Sequence, residues 1–266
     1  MKWSDDGIVL AITPFSEDQA RLSLLTRTNG RQSGLFRISR RQAVLQLGDF
    51  VAATWNARLS EHLGRFQVER LDSPAPRMFQ DSWRLWLLQN ACGVMSILPE
   101  RHSYSLIFEE LRSFTRELTT LNDHIAFANM TLLEKLILAE LGFGIDLSEC
   151  CVTQQRANLT FISPKTGRAV STEAAAPYRD KLLPLPAFWL GADWLDGEHA
   201  TLNSAITPAA NAATSLMHNP AWGEISNAFR VTHYFWQKWL FDDKQTFPAV
   251  RTSILGYCRK KYDALS

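Results

Sequence analysis

Six arginines lie between Asp18 and Asp49, and this interval contains no acidic residue. They are Arg21, Arg27, Arg31, Arg37, Arg40 and Arg41. A guanidinium group binds phosphate oxygens through paired hydrogen bonds and stacks on bases, so clustered arginines suit a polyanionic ligand. The chain as a whole has a formal net charge of +1, which means that the positive charge is local. The sequence therefore predicts a basic patch or groove rather than bulk attraction to nucleic acid.

Neighbouring residues extend this predicted site. Arg58 and Arg65 flank a later connection, and Trp55 and Phe66 offer rings for base stacking if they face outward. The predicted DNA-binding residues in this region are Arg27, Arg31, Arg37, Arg40, Arg41, Arg58, Arg65, Trp55 and Phe66. Two alternatives remain open. The arginines can form an ordinary solvated face, and the two rings can belong to a core, as aromatic residues on strands commonly do.

A second basic cluster, Arg259-Lys260-Lys261, lies near the end of the last predicted helix. We predict a DNA contact there, although cations at this position also complement the helix dipole. Bond chemistry is not indicated. The sequence has no phosphate-binding G-x-x-x-x-G-K-[ST] loop, no metal-binding H-E-x-x-H and no G-x-S-x-G nucleophile turn. We predict no catalytic residue and no enzyme.

The elements that must position these residues change in character near Ser73-Pro74-Ala75-Pro76. Before this point, alternation and turn signals predict five short strands, with Leu22, Leu24 and Thr26 on one face of the second. The strands are expected at 7–13, 21–28, 34–38, 50–59 and 64–71. Five strands in about seventy residues favour a closed OB-type β-barrel over a sandwich. We therefore predict an OB-type domain at 1–75.

After residue 76 the apolar period becomes helical, so the fold class is α+β with a mainly helical domain at 76–266. Helices are expected at 82–98, 103–121, one ending at Gly142 and Gly144, and 207–218, 224–240 and 248–261. Between 150 and 186 the period lapses, and residues 159–167 predict a small hairpin. The length of 266 residues and the 46% of apolar residues are sufficient for a substantial core.

The compartment is suggested by two further observations. The four cysteines, Cys92, Cys150, Cys151 and Cys258, lack the spacing of a disulfide framework, which favours a reducing environment. The first residues carry acids where a secretory signal needs a basic head and an apolar core, and no apolar run is long enough to span a bilayer. We expect a cytoplasmic protein without a membrane segment.

Several segments in this order and spacing resemble the RecO family of bacterial DNA repair proteins. In the first domain these are Leu45-Gln46-Leu47-Gly48-Asp49 and Trp55-x-Ala57-Arg58-Leu59-x-Glu61-x-Leu63-Gly64. In the second they are Leu141-Gly142-Phe143, Ser163-Pro164-Lys165-x-Gly167-Arg168-Ala169-Val170-Ser171 and Leu182-Leu183-Pro184-Leu185-Pro186. The resemblance covers nearly the whole chain, from Trp3 to about Cys258.

The resemblance implies a nucleoid-associated recombination mediator without catalytic activity. Such a protein binds single- and double-stranded DNA, anneals complementary strands, engages the acidic C-terminal tail of the single-stranded-DNA-binding protein SSB, and acts with RecR to load RecA. A receptor for that tail needs an apolar notch rimmed by cations. Two helix stripes are candidates, one around Phe108 and Arg112 and one around Trp236 and Arg230. An alternative function is an OB-fold adaptor that binds RNA or an acidic protein without annealing DNA.

Some members of the family hold a structural zinc with two C-x-x-C pairs, and the resemblance places those positions at Cys150, Thr153, Ser171 and Ala174. Only one of the four is a thiol. The adjacent Cys151 cannot complete a pair, because neighbouring cysteines rarely both face one tetrahedral ion. We therefore predict no zinc and no other cofactor, with 150–186 as a zinc-finger-like hairpin that has lost its ligands.

Overall fold

The computed structural model describes residues 1–38, 44–59, 63–191, 220–241 and 245–264. The first five strands close into a barrel in the order β1-β2-β3-β5-β4, and β4 also pairs with β1. Their bounds are Lys2–Pro14 (β1), Gln19–Thr26 (β2), Gly30–Arg37 (β3), Phe50–Asn56 (β4) and Gly64–Asp72 (β5). All neighbours are antiparallel except β3 and β5, which pair in parallel. The predicted OB-type barrel is confirmed.

Alternating side chains fill the interior of the barrel. On β2, the side chains of Leu22, Leu24 and Thr26 are fully buried. Arg21, the residue before Leu22, is exposed. The predicted inward set of Leu22, Leu24 and Thr26 is therefore buried, but Leu25 between them is fully buried too, so burial does not alternate at the end of the strand. The buried cluster inside the barrel consists of Val9, Leu22, Leu24, Leu45, Val51, Ala53, Trp55, Ala57 and Phe66.

The barrel closes where β3 meets β5, and two glycines face each other at this junction. Gly34 is paired with Gly64, and the next inward pair is Phe36 with Phe66. A methyl group on Gly34 would lie 2.7 Å from the Phe66 ring, and one on Gly64 would overlap the indole of Trp55. Both positions thus lack a side chain because large rings pack directly against the backbone there.

The chain after the barrel is mainly helical, as predicted. The helices are α1 (Ser82–Val94), α2 (Ser105–Glu117), α3 (Asp123–Glu140), the short α4 (Thr172–Ala175), α5 (Trp222–Trp239) and α6 (Arg251–Asp263). Short 3₁₀ helices occupy Ala75–Met78, Met95–Ile97, Ala176–Lys181 and Ala187–Trp189. Gly142, which was predicted to end α3, has φ +86°, a conformation that glycine adopts without strain. The helix predicted at 207–218 lies outside the described residues.

The chain divides into two compact units. The first contains Met1–Thr120 and Phe247–Arg251, and the second contains Leu121–Thr246 and Thr252–Ser266. Secondary structure thus changes type near residue 75, but compactness groups α1 and α2 with the barrel. No helix among the described residues is long and apolar enough to cross a membrane.

The second unit has a helical core and a small sheet. On α3, Asn122 accepts a hydrogen bond from the Ile125 amide and caps the helix. Glu134 is buried against α5, where its carboxylate accepts a hydrogen bond of 2.6 Å from the Thr232 hydroxyl. The predicted hairpin is present as β6 (Leu159–Ile162) and β7 (Ala169–Ser171), and β8 (Leu183–Pro184) pairs with β6 to form a three-stranded sheet.

The packing at the barrel junction yields a testable prediction. Gly64→Ala should lower the free energy of unfolding by about 1–3 kcal/mol, because the new methyl group forces the Trp55 indole out of its position. Gly7→Ala is a matched control in the same barrel, since its new methyl group would meet its nearest neighbours at 3.4 Å, an ordinary contact. Urea unfolding followed by circular dichroism measures both. Equal effects of the two substitutions would contradict the packing argument.

Candidate nucleic-acid interface

The strand register shows which side chains share the outer face of the barrel. Residues directly opposite each other on paired strands point to the same side. Arg21 on β2 lies opposite Leu35 on β3, and Leu35 lies beside Arg65 on β5. The row continues through Asn56 to Lys2. Arg21 and Arg65 are therefore separated by two strand spacings, about 10 Å, and both are exposed.

A second row lies at the end of β2 and β3. Gln19 is opposite Arg37, and the Phe15 amide donates a hydrogen bond of 2.9 Å to the Gln19 carbonyl. The Arg37 side chain is 83% exposed, and its ion pair with Asp18 has an N–O distance of 3.6 Å with both groups in solvent. Such a pair contributes little and is readily exchanged for a phosphate. We define the basic barrel face as Arg21, Arg37 and Arg65, which lie on the adjacent strands β2, β3 and β5; Lys2 lies further around the closed barrel.

Two of the predicted DNA-binding arginines are paired with acids from distant parts of the chain. Arg27 lies 3.3 Å from Glu109 and 3.6 Å from Asp6. Arg31 donates from Nε to the Leu98 carbonyl at 2.6 Å and lies 3.3 Å from Glu100. Burial lowers the pKa of Arg31 and Glu100 opposes that effect, but an arginine remains charged. The interval between Asp18 and Asp49 lacks acids in the sequence, but carboxylates from other segments lie close to it in the structure. The side chains of Arg27 and Arg31 therefore connect the barrel to the segment that follows it.

Trp55 and Phe66 were predicted to stack on bases if their rings face outward. Neither ring faces outward, so this prediction is wrong. Trp55 is 3% exposed and Phe66 is 4% exposed. Both belong to an aromatic group inside the barrel, in which Trp3 stacks on Trp55 with ring centroids 5.7 Å apart and meets Phe66 edge to face at 6.2 Å. Burial of three large rings drives this arrangement, because each removes extensive apolar surface from water. The core alternative is the one that the structure supports.

The remaining predicted residues are placed as follows. Arg40 and Arg41 lie outside the described residues. Arg58 is exposed just beyond β4, and no carboxylate of the described residues lies within ion-pair distance of it. On α6, Lys261 is held by Asp123 at 2.8 Å, and this hydrogen bond raises the pKa of Lys261. Arg259 and Lys260 are exposed.

A groove of about 430 Å³ lies between α5 and α6 in the second unit. Its floor is apolar, with Phe229 and Leu255, and its cations are Arg230 and Arg259. The other lining residues are Ser226, Asn227, His233, Thr252 and Gly256. Of the two apolar stripes considered from the sequence, the one around Phe108 is separate from this groove, and the one around Trp236 and Arg230 shares only Arg230 with it. Phe108 is 2% exposed and Trp236 is fully buried, so neither ring is available to a peptide. An apolar groove with cations at its edge accommodates an acidic peptide that carries apolar side chains.

The hairpin segment of the second unit contains the positions compared with a zinc site. Cys150 is buried, and its Sγ accepts a hydrogen bond from the Ser171 amide at 3.2 Å. The Ser171 hydroxyl in turn accepts one from the Ala174 amide at 3.4 Å. The side chains of Thr153, Ser171 and Ala174 do not supply the thiolate or imidazole ligands that zinc requires, so this set does not fit the ion. Within the described ranges, no three His, Cys, Asp or Glu side chains are grouped to hold a metal. The absence of zinc stays a prediction.

Sequence reasoning missed one residue of the basic barrel face and one near it. Arg21 was placed only in the arginine-rich interval and not among the binding residues, and Phe15 was not among the candidates. The Phe15 ring is 62% exposed although it is a large apolar group. Pairing the strands in a five-stranded order would have placed Arg21 and Arg65 in one row, on either side of Leu35. The register depends, however, on the parallel closure of β3 on β5, which no local pattern reveals.

A closed five-stranded barrel with exposed cations over its second and third strands defines an OB-fold protein, a class that binds oligonucleotides, oligosaccharides or peptides. Two family models match the chain, one described as Recombination protein O N terminal at residues 1–74 and one as Recombination protein O C terminal at 74–217. The chain belongs to the RecO family.

Individual relatives agree with the family models over nearly the full length. The chain is similar to the DNA repair protein RecO of Mesorhizobium japonicum, with 36% identity over 98% of this chain and 95% of the relative. It is 38% identical to RecO of Rhodopseudomonas palustris over 83% of this chain and 99% of that protein. For RecO of Brucella abortus the identity is 33% over 96% and 95%. The predicted family and its DNA repair and recombination character are therefore confirmed.

The environment of Cys150 predicts a pH-dependent stability. Burial alone would raise the pKa of this thiol, but hydrogen bonds from Thr153, Ser171 and Val152 outweigh burial and lower it from 9.0 to about 6. A lowered pKa in the folded state gives a stabilisation that is full above the ordinary pKa and is lost as pH falls through about 6. The melting temperature of Cys150→Ala should therefore fall further below that of the unsubstituted chain at about pH 8 than at about pH 6.

Cys92→Ala is the control for this prediction. Burial raises the pKa of the Cys92 thiol to about 12, so it stays protonated over the same pH range. Its effect on the melting temperature should be the same at both pH values. A Cys150→Ala difference that does not change with pH would show that Cys150 is a neutral thiol in the folded protein.

Proposed function

We propose that this protein is a recombination mediator that binds single- and double-stranded DNA, anneals complementary strands, engages SSB and, with RecR, promotes loading of RecA. The observation that carries the DNA-binding part is the row in which Arg21 and Arg65 flank Leu35 on the outer face of the barrel. Membership of the RecO family supports the proposed partners and annealing activity, since its relatives are named DNA repair proteins. The protein acts by binding and positioning strands and makes or breaks no covalent bond.

The basic barrel face suits a flexible polyanion. Arg21, Arg37 and Arg65 are exposed and stand on adjacent or nearly adjacent strands, so one backbone that crosses the strands meets several guanidinium groups. The partially buried Leu35 between Arg21 and Arg65 offers apolar contact to a sugar or base. Contacts to phosphates carry no sequence information, which is what a mediator that acts at any lesion requires. Annealing further requires that most bases remain free to pair. A surface that binds the phosphate backbone leaves the pairing edges of the bases accessible.

The groove between α5 and α6 is the site at which we place the SSB tail. Arg230 and Arg259 stand on different helices, so an acidic peptide lying between the helices can pair with both. No carboxylate among the described residues lies within ion-pair distance of either arginine. The half-buried Leu255 can receive an apolar residue that ends the tail, while Phe229 is fully buried beneath it. The lining includes Arg259, which the sequence had suggested for DNA, and we assign it to the peptide instead.

Removal of charge from the barrel face tests the DNA-binding part of the proposal. Arg21→Gln combined with Arg65→Gln should weaken binding to single-stranded oligonucleotides of every sequence alike. The slope of log K against log salt should become shallower by about 0.7 for each lost phosphate contact. Fluorescence anisotropy over a salt series measures both quantities. The melting temperature should change little because both side chains are exposed.

Arg77→Gln is the matched control for this experiment. Arg77 is a half-exposed arginine of the same unit, but it pairs with Asp72 at 3.0 Å at the opposite end of β5 from Arg65, roughly 23 Å away along the strand. Its loss should leave the salt slope unchanged. If the double variant binds DNA with the original slope, the basic barrel face is not the DNA site. Equal affinity of the unsubstituted chain for polyglutamate and for oligonucleotide would favour the adaptor function.

Peptide binding tests the groove separately. A synthetic peptide with several acidic residues and an apolar carboxyl end should lose about tenfold or more in affinity for Arg230→Glu and for Arg259→Glu, because each reversal replaces an attraction by a repulsion. Lys260→Glu is the control, since Lys260 is exposed on the same helix but does not line the groove. Isothermal titration calorimetry gives the affinities. Equal losses in all three variants would indicate that only net charge matters and that the groove is not the site.

A further inference from the structure

We propose that the Phe15 ring is a stacking platform for one unpaired base, and that the hairpin between β1 and β2 thereby selects single strands over duplex. This inference rests on the proposed DNA-binding function of the barrel and adds a residue and a selectivity to it. The starting observation is that Phe15 is 62% exposed, whereas the other aromatic side chains of the barrel strands, Trp3, Trp55, Phe36, Phe50 and Phe66, are buried or half-buried.

The hairpin holds the ring in a defined place. The amides of Phe15 and Ser16 both donate to the Gln19 carbonyl, at 2.9 and 3.0 Å. The Ser16 hydroxyl donates to the Asp18 carboxylate at 3.1 Å, and the Asp18 carbonyl accepts from the Ile38 amide at 2.8 Å. The turn is thus tied both to itself and to the end of β3. A ring on such a turn has only its two side-chain torsions to fix on binding, so stacking costs little conformational entropy.

The strand register places Phe15 near the cations of the basic barrel face. Phe15 continues the row of Gln19 and Arg37, and the next row inward contains Arg21. The hairpin itself carries Glu17 and Asp18, whose charges repel phosphates. A strand that places its phosphates on Arg37 and Arg21 therefore turns a base, rather than its backbone, toward the hairpin. The carboxylates of the hairpin repel a phosphate but not a base, because a base is uncharged. The base can therefore stack on the Phe15 ring.

Stacking of this kind distinguishes single strands from duplex DNA. In a duplex both faces of each base are covered by its neighbours, and exposing one requires the base to be unstacked and unpaired. An unpaired base presents its face without this disruption. The guanidinium groups, by contrast, meet phosphates in either form. We therefore expect charge on the barrel face to support binding of both forms, and Phe15 to support binding of single strands alone.

The test compares Phe15→Ala with the unsubstituted chain on oligo-dT and on a duplex of equal length, by fluorescence anisotropy at one salt concentration. Affinity for oligo-dT should fall about tenfold, the range expected for one lost stacking contact, and affinity for the duplex should stay within about twofold. Phe15→Trp should restore single-strand binding because the larger ring stacks at least as well. Phe79→Ala is the matched control, since Phe79 is 61% exposed but follows the 3₁₀ helix beyond the far end of β5.

The outcomes separate this inference from the proposed function. Unchanged binding of oligo-dT by Phe15→Ala, or equal losses on oligo-dT and duplex, would overturn the stacking role while leaving the basic barrel face intact. The same result for Phe79→Ala as for Phe15→Ala would overturn it as well, because the effect would then be one of general apolar surface. If the unsubstituted chain bound neither DNA, the proposed function would fail and this inference with it.

Discussion

The parallel pairing of β3 with β5 is the constraint on which the outer face of the barrel depends. It brings Gly34 against Gly64, and the rings of Phe66 and Trp55 occupy the space that two side chains would otherwise fill. Closure here fixes the register of β5 against β3, because a slip of β5 by one residue would turn the Phe66 ring outward and Arg65 inward. The placement of Arg65 in one row with Leu35 and Arg21 is therefore a consequence of aromatic packing on the inner side of the barrel. Cationic surface and apolar core are specified together.

The arginines of the barrel have two different roles. Some form ion pairs with carboxylates from later segments of the chain, and others remain available on the outer face. Arg27 forms an ion pair with Glu109 and Arg31 forms one with Glu100, both from residues after the barrel. Their positive charges are therefore balanced within the first unit. Partial burial of Arg31 makes its pairing with Glu100 and with the Leu98 carbonyl necessary, since an uncompensated buried charge is costly. Among the residues that the structure describes, Arg21 has only a long hydrogen bond of 3.4 Å to the Ser33 hydroxyl, and Arg37 has only a solvent-exposed ion pair, so these side chains keep most of their charge available. A run of one charge sign along a sequence thus does not by itself define a surface of that sign.

Much of the fold was predictable from the sequence, and the errors have physical causes. Alternation on β2, the helical period after residue 76 and the glycine that ends α3 are local signals, and local signals located all three. The solvent exposure of Trp55 and the pairing of Arg27 are not local, because each depends on residues dozens of positions away. The same reason explains why Phe15 was overlooked. An exposed phenylalanine at a turn has no sequence pattern of its own, and its significance appears only when Gln19 and Arg37 are seen in the same row.

The hairpin segment of the second unit shows how hydrogen bonds can hold a turn around a single ionisable group. Hydrogen bonds donated to a thiol favour its charged form, whereas burial opposes that form. The amide of Ser171 donates to the sulfur of Cys150, and the Ser171 hydroxyl accepts from the Ala174 amide. The same residue thus stabilises the sulfur through its amide and the following turn through its hydroxyl. Because these donors belong to the protein backbone, the turn is supported by the chain itself, and β6 and β7 are joined through their own ladder.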